Sequence, residues 1–348
     1  MSSPKEDETA AAAQQVGSMS LGESTKRKGE SNEENYEDPT KMCSACGKKS
    51  DTTKKGTACK CVNYCDKECQ NKHWKEHKNE CKRIKKILGK RGGKLDLGEE
   101  LDVGPLPDVP TREECHICMQ SLPIHAGLQS FSVCCGKTIC GGCNYQHQMK
   151  SGEPITCAFC RTPVSESDEE ILAQLRKRVE GKDPEALINM GMCYGRGAHG
   201  LPVNHAKCIE LLRESADLGC PSAQYRLGNS YKFGEMGLEQ NEEEGIKYWE
   251  KAAEGGHLLS RHNLGCNEAD NDNDVAAMRH WRLSASGGDR KSMKQLIDFF
   301  EEGLLHHGDL AAILENFYHA RNEMTSVDRD EYIAYLKRAG EYEAVYEC

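Results

Sequence analysis

The chain has 348 residues, 46 of them lysine or arginine and 56 aspartate or glutamate, which gives a net charge of −10. Apolar residues make up 37% and aromatic residues 6%, too little for one large core, so we expect two or three smaller domains. No apolar run approaches the roughly 18 residues of a membrane span, and the first residues lack the apolar stretch of a secretory signal. We therefore expect an intracellular protein, cytoplasmic or nuclear, that does not contact a membrane.

The 20 cysteines are the most informative feature of the sequence. Seven lie between Cys43 and Cys81, eight lie between Cys115 and Cys160, and five are scattered over the rest of the chain. Dense clusters of paired cysteines in a reducing compartment are typical of metal sites and not of disulfides. Thiolate and imidazole ligands suit zinc. Segments this short cannot fold on burial alone, so zinc binding would supply their folding free energy.

Charge divides the amino-terminal part of the chain. Residues 1–40 carry 4 basic and 9 acidic residues and one aromatic residue, Tyr36, and we expect a disordered acidic tail. Residues 41–94 reverse the sign, with 17 basic and 5 acidic residues, and are a candidate contact surface for acidic partners. Nucleic acid is a minor alternative, because no aromatic side chains alternate with the basic ones to stack on bases.

The first cysteine cluster contains eight ligand residues in four pairs, which suits two tetrahedral zinc ions. They are Cys43, Cys46, Cys59, Cys61, Cys65, Cys69, His77 and Cys81. Residues 66–82 favour a helix, which would place His73, His77 and Cys81 on one face. No ligand position is left open for water, so this zinc would be structural and not catalytic.

The run from Tyr64 to Cys81, YCDKECQNKHWKEHKNEC, resembles the MYND zinc finger. The resemblance implies that the first and third pairs bind one zinc ion and the second and fourth pairs the other. It also implies a module that docks short proline-containing motifs of partner proteins. In one departure, Gly56 stands where the family has the first cysteine of the second pair, and Cys61 is our candidate substitute. Trp74 is interpreted as a core aromatic residue, with a place in the docking groove as the alternative.

Residues 95–110 are acidic and rich in proline, which predicts a linker. The second cluster follows in residues 111–166 and again holds eight candidate ligands. They are Cys115, Cys118, Cys134, Cys135, Cys140, Cys143, Cys157 and Cys160. Their spacing resembles a RING finger, whose interleaved pairing implies one site of Cys115, Cys118, Cys140 and Cys143 and a second site of the remaining four. With the first cluster, this predicts four zinc ions, two per finger.

The RING resemblance implies a partner-binding surface. Ile117 and Pro163 match the family positions that dock a ubiquitin-conjugating enzyme, and Arg161 matches the position that hydrogen-bonds ubiquitin. Such a ligase has no catalytic residue of its own and acts by orienting its partner's thioester. Lys137 stands where many RING fingers carry a histidine ligand. Cys134 would replace that ligand, with His125 and His147 in reserve.

The carboxy-terminal half contains a repeat. Ala186-x-x-x-Met190-Gly-x-x-Tyr194 recurs 37 residues later from Ala223, and related sequences follow at Ser260 and Ser292. A period of this size indicates stacked helical hairpins. The glycine-punctuated pattern resembles Sel-one-like repeats, relatives of the tetratricopeptide repeat. We expect repeats over residues 167–303 and capping helices over 304–348, with the third hairpin turn, residues 267–274, shorter than the first two.

The fold class predicted for the chain is therefore multidomain, with two small cross-braced zinc-binding modules followed by an all-α helical-repeat solenoid. Leu212, Trp249 and Trp281 occupy one column of successive repeats and are interpreted as core residues. The interpretation that we favour is a zinc-binding adaptor with protein partners. A RING-type ubiquitin ligase is the first alternative, and a regulator associated with nucleic acid is the second.

Overall fold

The computed structural model describes residues 43–46, 48, 53–94, 101–106, 112–151, 154–165 and 167–342. The predicted acidic tail and Cys348 lie outside these residues. The described elements belong to one compact unit. Because these elements pack across the predicted domain boundaries, the structure does not separate the chain at those boundaries, and they stay predictions.

The first finger consists of a short hairpin followed by a long helix. Strand β1 (Lys54–Lys55) pairs antiparallel with β2 (Asn63–Tyr64), and α1 (Lys67–Lys90) follows. The helix extends two turns beyond its predicted end, because Ile84 and Leu88 are buried on the same face as the cysteine and histidine ligands. Burial of this face thus continues the helix past the finger itself.

The second finger has the same order of elements. Strand β3 (Gln129–Ser132) pairs antiparallel with β4 (Lys137–Cys140), and α2 (Gly141–Lys150) begins directly after it. Helix α2 packs closely against the last helix of the described residues. A Cβ atom on Gly142 would lie 2.8 Å from the backbone of Arg329, so only glycine allows this approach.

Ten helices form the rest of the described chain, and we call them the helical array. They are α3 (Asp168–Glu180), α4 (Pro184–Arg196), α5 (His205–Asp217), α6 (Pro221–Phe233), α7 (Glu242–Glu254), α8 (Leu258–Asp270), α9 (Asp274–Ser286), α10 (Arg290–Glu302), α11 (His307–Glu323) and α12 (Val327–Ala339). Within the described residues, no helix combines the length and apolar character that crossing a membrane requires.

Helices α4 and α5, α6 and α7, and α8 and α9 pack as successive hairpins, and one column of residues forms their core. Leu212, Trp249 and Trp281 are all buried, which confirms that the two tryptophans are core residues. Each indole lies against a glycine of the preceding helix. A Cβ atom on Gly228 would lie 2.3 Å from Trp249 Cδ1, and one on Gly265 would lie 2.5 Å from Trp281 Nε1. The repeated glycine therefore makes room for the indole.

The turns inside the first two hairpins follow the predicted glycine pattern. Gly197 and Gly234 end α4 and α6 in the left-handed conformation, with φ of 69° and 68°. The third hairpin lacks this glycine and connects α8 to α9 through the three residues between Asp270 and Asp274, with φ of 57° at Asp272. The shorter turn confirms the difference expected from the sequence.

The predicted linker is partly built into the array. Leu101 N donates to Leu304 O at 2.9 Å, and Val103 is buried in the same core as α9 to α11. Arg282, itself buried, donates from Nη1 to the carbonyl oxygens of Val103 and Gly104 at 3.2 and 2.9 Å. An arginine far away in sequence thus binds the backbone of residues 101–106, while the interpretation of residues 95–110 as a linker between domains stays a prediction.

A partly buried histidine makes the stability of the array depend on pH. His257 caps α8 through Nδ1, which accepts from Ser260 N at 3.2 Å, and its ring lies 4.5 Å from the ring of Tyr225. Burial, followed by the charge of Arg226, lowers the pKa of His257 to about 4. The ordinary histidine pKa is about 6.5. Between pH 6.5 and 4, the His257 side chain is therefore protonated in the unfolded chain but neutral in the folded chain. The free energy of unfolding thus falls as the pH falls through this window.

We expect the wild type to lose about 2 kcal/mol more unfolding free energy than the variant His257→Asn when the pH falls from 7 to 5. Asparagine also caps helices but does not titrate. Urea denaturation of both proteins at the two pH values measures this difference. Equal losses in the two proteins would show that His257 does not titrate as inferred.

Candidate metal centres

The first metal centre joins the start of the first finger to the start of α1. The sulfur atoms of Cys43, Cys46, Cys65 and Cys69 all lie within 4.8 Å of one another. Cys46 Sγ is 3.9 Å from Cys65 Sγ, which is 3.4 Å from Cys69 Sγ. The side chain of Asp66 caps α1, accepting from Cys69 N at 2.7 Å, and so fixes the turn that presents the last two ligands. These are the first and third predicted pairs.

The second centre brings together three buried residues, Cys59, His77 and Cys81. Cys59 Sγ lies 3.1 Å from His77 Nε2. His77 and Cys81 are one turn apart on α1 and therefore project from the same face. Cys61, the predicted fourth ligand, is buried next to Cys59, but its sulfur is not part of the close group. Its role as a ligand stays a prediction.

The array contacts this second centre directly. Cys61 Sγ lies 3.2 Å from Nε2 of His307, at the start of α11, and the same nitrogen lies 3.0 Å from Cys59 O. The neighbouring Cys61 thiol, opposed by burial and aided by His77, lowers the pKa of Cys59 to about 4. Hydrogen bonding to Cys59, followed by burial, raises the pKa of Cys61 well above its ordinary value.

The second finger holds two complete groups of four sulfur atoms, each within 4.8 Å. One group is Cys115, Cys118, Cys140 and Cys143, and the other is Cys134, Cys135, Cys157 and Cys160. The first lies between the loop before β3 and the junction of β4 with α2. The second joins the β3–β4 turn to the loop after α2. This is the interleaved arrangement that the RING resemblance implies.

The spacing of the sulfur atoms fits zinc. Four sulfurs at about 2.3 Å from one tetrahedral ion lie about 3.8 Å from each other. The Cys118–Cys140 and Cys135–Cys157 sulfur pairs are each 3.9 Å apart, and the Cys134–Cys160 pair is 3.4 Å apart. Four thiolates around one point without a cation would repel each other strongly. The donor sets therefore suit a closed structural zinc ion at each of these places.

The reserve ligands lie outside the metal groups. His147 Nε2 is 2.9 Å from Thr156 Oγ1, and its ring also faces Arg161, whose Nη1 is 2.7 Å from His147 Nδ1. His125 lies against the array, and burial lowers its pKa. Neither belongs to a group of close ligand atoms among the described residues. The sulfur atoms of the adjacent residues Cys134 and Cys135 belong to the same group. Cys134 therefore lies where it can replace the histidine ligand that many RING fingers carry.

The predicted partner-binding residues are accessible. Ile117 is 40% exposed, and Arg161 and Pro163 are exposed as well. Phe159, 41% exposed, adds to this apolar surface, although the sequence analysis did not single it out. The interpretation of Trp74 as a core residue was wrong, since its side chain is 40% exposed. It lies on the side of α1 away from the buried face with His73 and His77.

Family comparisons support two of the three resemblances. Residues 43–81 match the MYND finger, and residues 184–220 and 221–257 each match a Sel1 repeat. The chain thus carries a zinc-binding finger and helical repeats, both of kinds that serve in protein interactions. The RING-like finger rests on its cysteine groups.

A curated relative is the chitin synthase regulatory factor 2 of Schizosaccharomyces pombe, 33% identical over 130 residues. The match covers 36% of this chain and about a quarter, 25%, of the relative. Among solved structures, a Sel1 repeat protein from Oxalobacter formigenes is 29% identical, with a TM-score of 0.34, over 36% of this chain and 97% of that one. A protective antigen of uropathogenic Escherichia coli with an SLR fold is 23% identical, with a TM-score of 0.37, over 49% and 37%.

Proposed function

We propose that the protein is a zinc-dependent adaptor that binds partner proteins through its two fingers and its helical array, with up to four structural zinc ions. The metal ligands are the sixteen residues predicted from the sequence, with Cys61 as the fourth ligand of the second centre. With Cys61 as that fourth ligand, every group is closed to reacting water, so the metals hold the binding surfaces in place. The regulatory role in the name of the yeast relative is compatible with such an adaptor.

The observation that carries this proposal is a cleft of about 600 Å³ between the second finger and the array. Arg112, Glu113 and most of residues 122–129 of the finger line one side. The first helices of three successive hairpins, α4, α6 and α8, line the other, from Glu185 through Tyr225 to Leu258. A cleft of this size is large enough for several side chains of a bound peptide. Because both modules line it, a partner would bind them together.

Arg226 on α6 gives the cleft a chemical preference. Its Nη1 lies 3.7 Å from Met192 Sδ, and it forms no ion pair with any residue that the structure describes. Burial, followed by the charge of nearby Arg196, lowers its pKa, with Glu185 acting in the opposite sense. A partly buried guanidinium without a carboxylate partner favours a ligand that brings one. The occupant that we propose is an extended segment of a partner protein with an acidic side chain opposite Arg226.

Affinity purification of the full chain with quantitative mass spectrometry, compared between Arg226→Met and the wild type, tests this function. A hydrogen bond to a charged group contributes about 1.5–3 kcal/mol, so we expect capture of the adaptor's partner to weaken about tenfold or more. Arg213→Met is the matched control, because Arg213 lies on α5, outside the cleft, with Nη2 2.7 Å from Tyr231 Oη. A synthetic peptide from the captured partner should show the same difference. Partners that bind both variants equally would contradict the cleft as the binding site.

Ubiquitin ligase activity is a second candidate function, favoured by the exposed apolar surface of Ile117, Phe159 and Pro163. In this function the surface docks a ubiquitin-conjugating enzyme, and Arg161 contacts ubiquitin. Autoubiquitination with a panel of conjugating enzymes tests it, with Ile117→Ala as the variant expected to lose the activity. Val203→Ala, also an exposed residue but on the array, is the control. If the wild type shows no autoubiquitination with any enzyme of the panel, ligase activity is excluded and the adaptor function remains.

Nucleic-acid binding has less support. Part of the positive charge of α1 is used within the protein, because Arg83 pairs with Asp298 and Glu301, and Lys90 Nζ lies 3.0 Å from Glu301 Oε1. The intracellular location stays a prediction from the sequence.

A further inference from the structure

A buried arginine of the last helix reaches a metal centre of the second finger. Arg329 on α12 is 3% exposed. Its Nη2 donates to Cys118 Sγ at 3.4 Å, and its Nη1 donates to Ser121 O at 2.7 Å and Met324 O at 2.8 Å. The guanidinium thus bridges the ligand loop of the finger and the end of α11.

The charge of this centre explains why a cation is buried there. Four thiolates around one divalent ion leave a net charge of −2, which is costly to bury unless a positive group lies close by. Arg329 is the cation in contact with this group, and hydrogen bonds from a charged donor to thiolates are among the strong ones. The close packing of Gly142 against the backbone of Arg329 holds the side chain in this place.

A second array residue contacts the first finger in an analogous way. The hydroxyl of Tyr318 on α11 lies 2.9 Å from His77 Nδ1, while His77 Nε2 faces Cys59 in the metal group. Tyr318 and His77 are 2% and 1% exposed, so water does not compete for this hydrogen bond. A hydrogen bond to the second ring nitrogen fixes the orientation of a histidine ligand and decides which nitrogen faces the metal.

We propose that Arg329 and Tyr318 are positioning residues for two different zinc sites, one in each finger, so that the carboxy-terminal helices of the array set the metal affinity of both fingers. The inference rests on the proposed zinc ligands but goes beyond them. A finger separated from the array would still contain all its ligands, yet it would hold its zinc less tightly. Occupancy of the metal sites and packing of α11 and α12 would then depend on each other.

The test is the release of zinc from the full-length protein to a chromophoric chelator, with the ions remaining counted by native mass spectrometry. Loss of an outer partner of a metal ligand typically lowers metal affinity about 10–100-fold. We expect Arg329→Gln to accelerate the release of one ion by a factor in this range and to leave the other ions unchanged. Arg329→Lys keeps the charge and should restore part of the affinity. Arg338→Gln, an exposed position on the same helix, is the matched control.

Tyr318→Phe removes only the hydroxyl, and we expect it to accelerate the release of a different single ion. Tyr335→Phe on α12 is its control, since Tyr335 is 42% exposed and does not contact a ligand residue in the described structure. Replacing zinc by cobalt adds a spectroscopic measurement that reports on the metal ligands and that a defect in helix packing alone does not change. The thiolate-to-cobalt absorption should shift in Arg329→Gln while the circular dichroism of the metal-saturated protein stays that of the wild type.

The outcomes separate this proposal from the metal sites themselves. If the wild-type protein binds no zinc at one of these two centres, the proposed ligands of that centre are contradicted, and this inference about it is contradicted with them. Zinc binding in the wild type, with release rates in Arg329→Gln and Tyr318→Phe equal to those of their controls, would overturn this inference alone. Faster release of all the zinc ions together would also overturn the inference, because such a result would indicate general unfolding and not a local effect.

Discussion

Replacing Cys140 by serine is expected to unfold the second finger and so to lower the zinc content of the full-length chain by two of the four proposed ions, because both metal groups of the finger depend on its fold. Cys140 is fully buried at the junction of β4 and α2, where its sulfur belongs to the group with Cys115, Cys118 and Cys143. A structural zinc ion contributes about 10–16 kcal/mol to the folding of a small finger. The finger has only a small apolar core beyond its cysteines, chiefly Leu122, Ile139 and Ala158, so burial cannot compensate for this loss.

Elemental analysis of the purified protein measures the zinc content, and limited proteolysis shows whether residues 112–165 have become accessible. Cys193→Ser is the matched control, because Cys193 is a partly buried array cysteine that belongs to no metal group among the described residues. It should leave both readouts unchanged. An unchanged zinc content in Cys140→Ser would mean that the second finger is not a metal-binding module.

The second large effect is expected in the array. Trp249→Ala should lower the free energy of unfolding by about 3–5 kcal/mol, the usual cost of removing a large aromatic side chain from a core. Trp249 is 2% exposed, packs with Ala253 and Leu264, and donates from Nε1 to Asn229 Oδ1 at 2.9 Å. Because α6 and α7 meet at this indole, its removal leaves a cavity between them and takes from Asn229 Oδ1 the shorter of its two hydrogen bonds, the other coming from Asn263 Nδ2 at 3.4 Å.

Urea denaturation followed by circular dichroism measures the change in unfolding free energy. Trp74→Ala removes the same side chain from an exposed position on α1. Surface substitutions usually change stability by no more than about 0.5 kcal/mol, so the control should behave almost as the wild type. A similar loss in both variants would mean that Trp249 does not form the core of the second hairpin.

The sequence was sufficient for features with local or periodic signals. The period of 37 residues and the glycines that make room for Trp249 and Trp281 predicted the hairpins. The cysteine spacing and the two finger resemblances predicted the groups of close ligand atoms, apart from Cys61, whose sulfur lies outside its predicted group. The caps of the second helices were not predicted, although Asn204, Asn241 and Asn273 each accept a backbone hydrogen bond at the start of α5, α7 and α9. Asparagine directly before each helix was the available signal.

Other features depend on partners that are distant in sequence, and no local pattern could reveal them. The exposure of Trp74 is decided by which face of α1 meets α10 and α11. The contacts of Tyr318 with His77 and of Arg329 with Cys118 join residues more than 200 positions apart. The contact between Cys61 and His307 is of the same kind.

The segment at 101–106, bound through its backbone by Arg282, has a mechanical consequence for a ligand with two binding motifs. If this segment swung freely, the second motif would have to search a large volume after the first had bound. With the segment attached to α9, the separation between the first finger and the repeats is constant, and the second binding step occurs at one defined effective concentration. A bivalent ligand whose motifs match that separation would gain affinity, whereas one with a spacer that is too short would bind through a single motif.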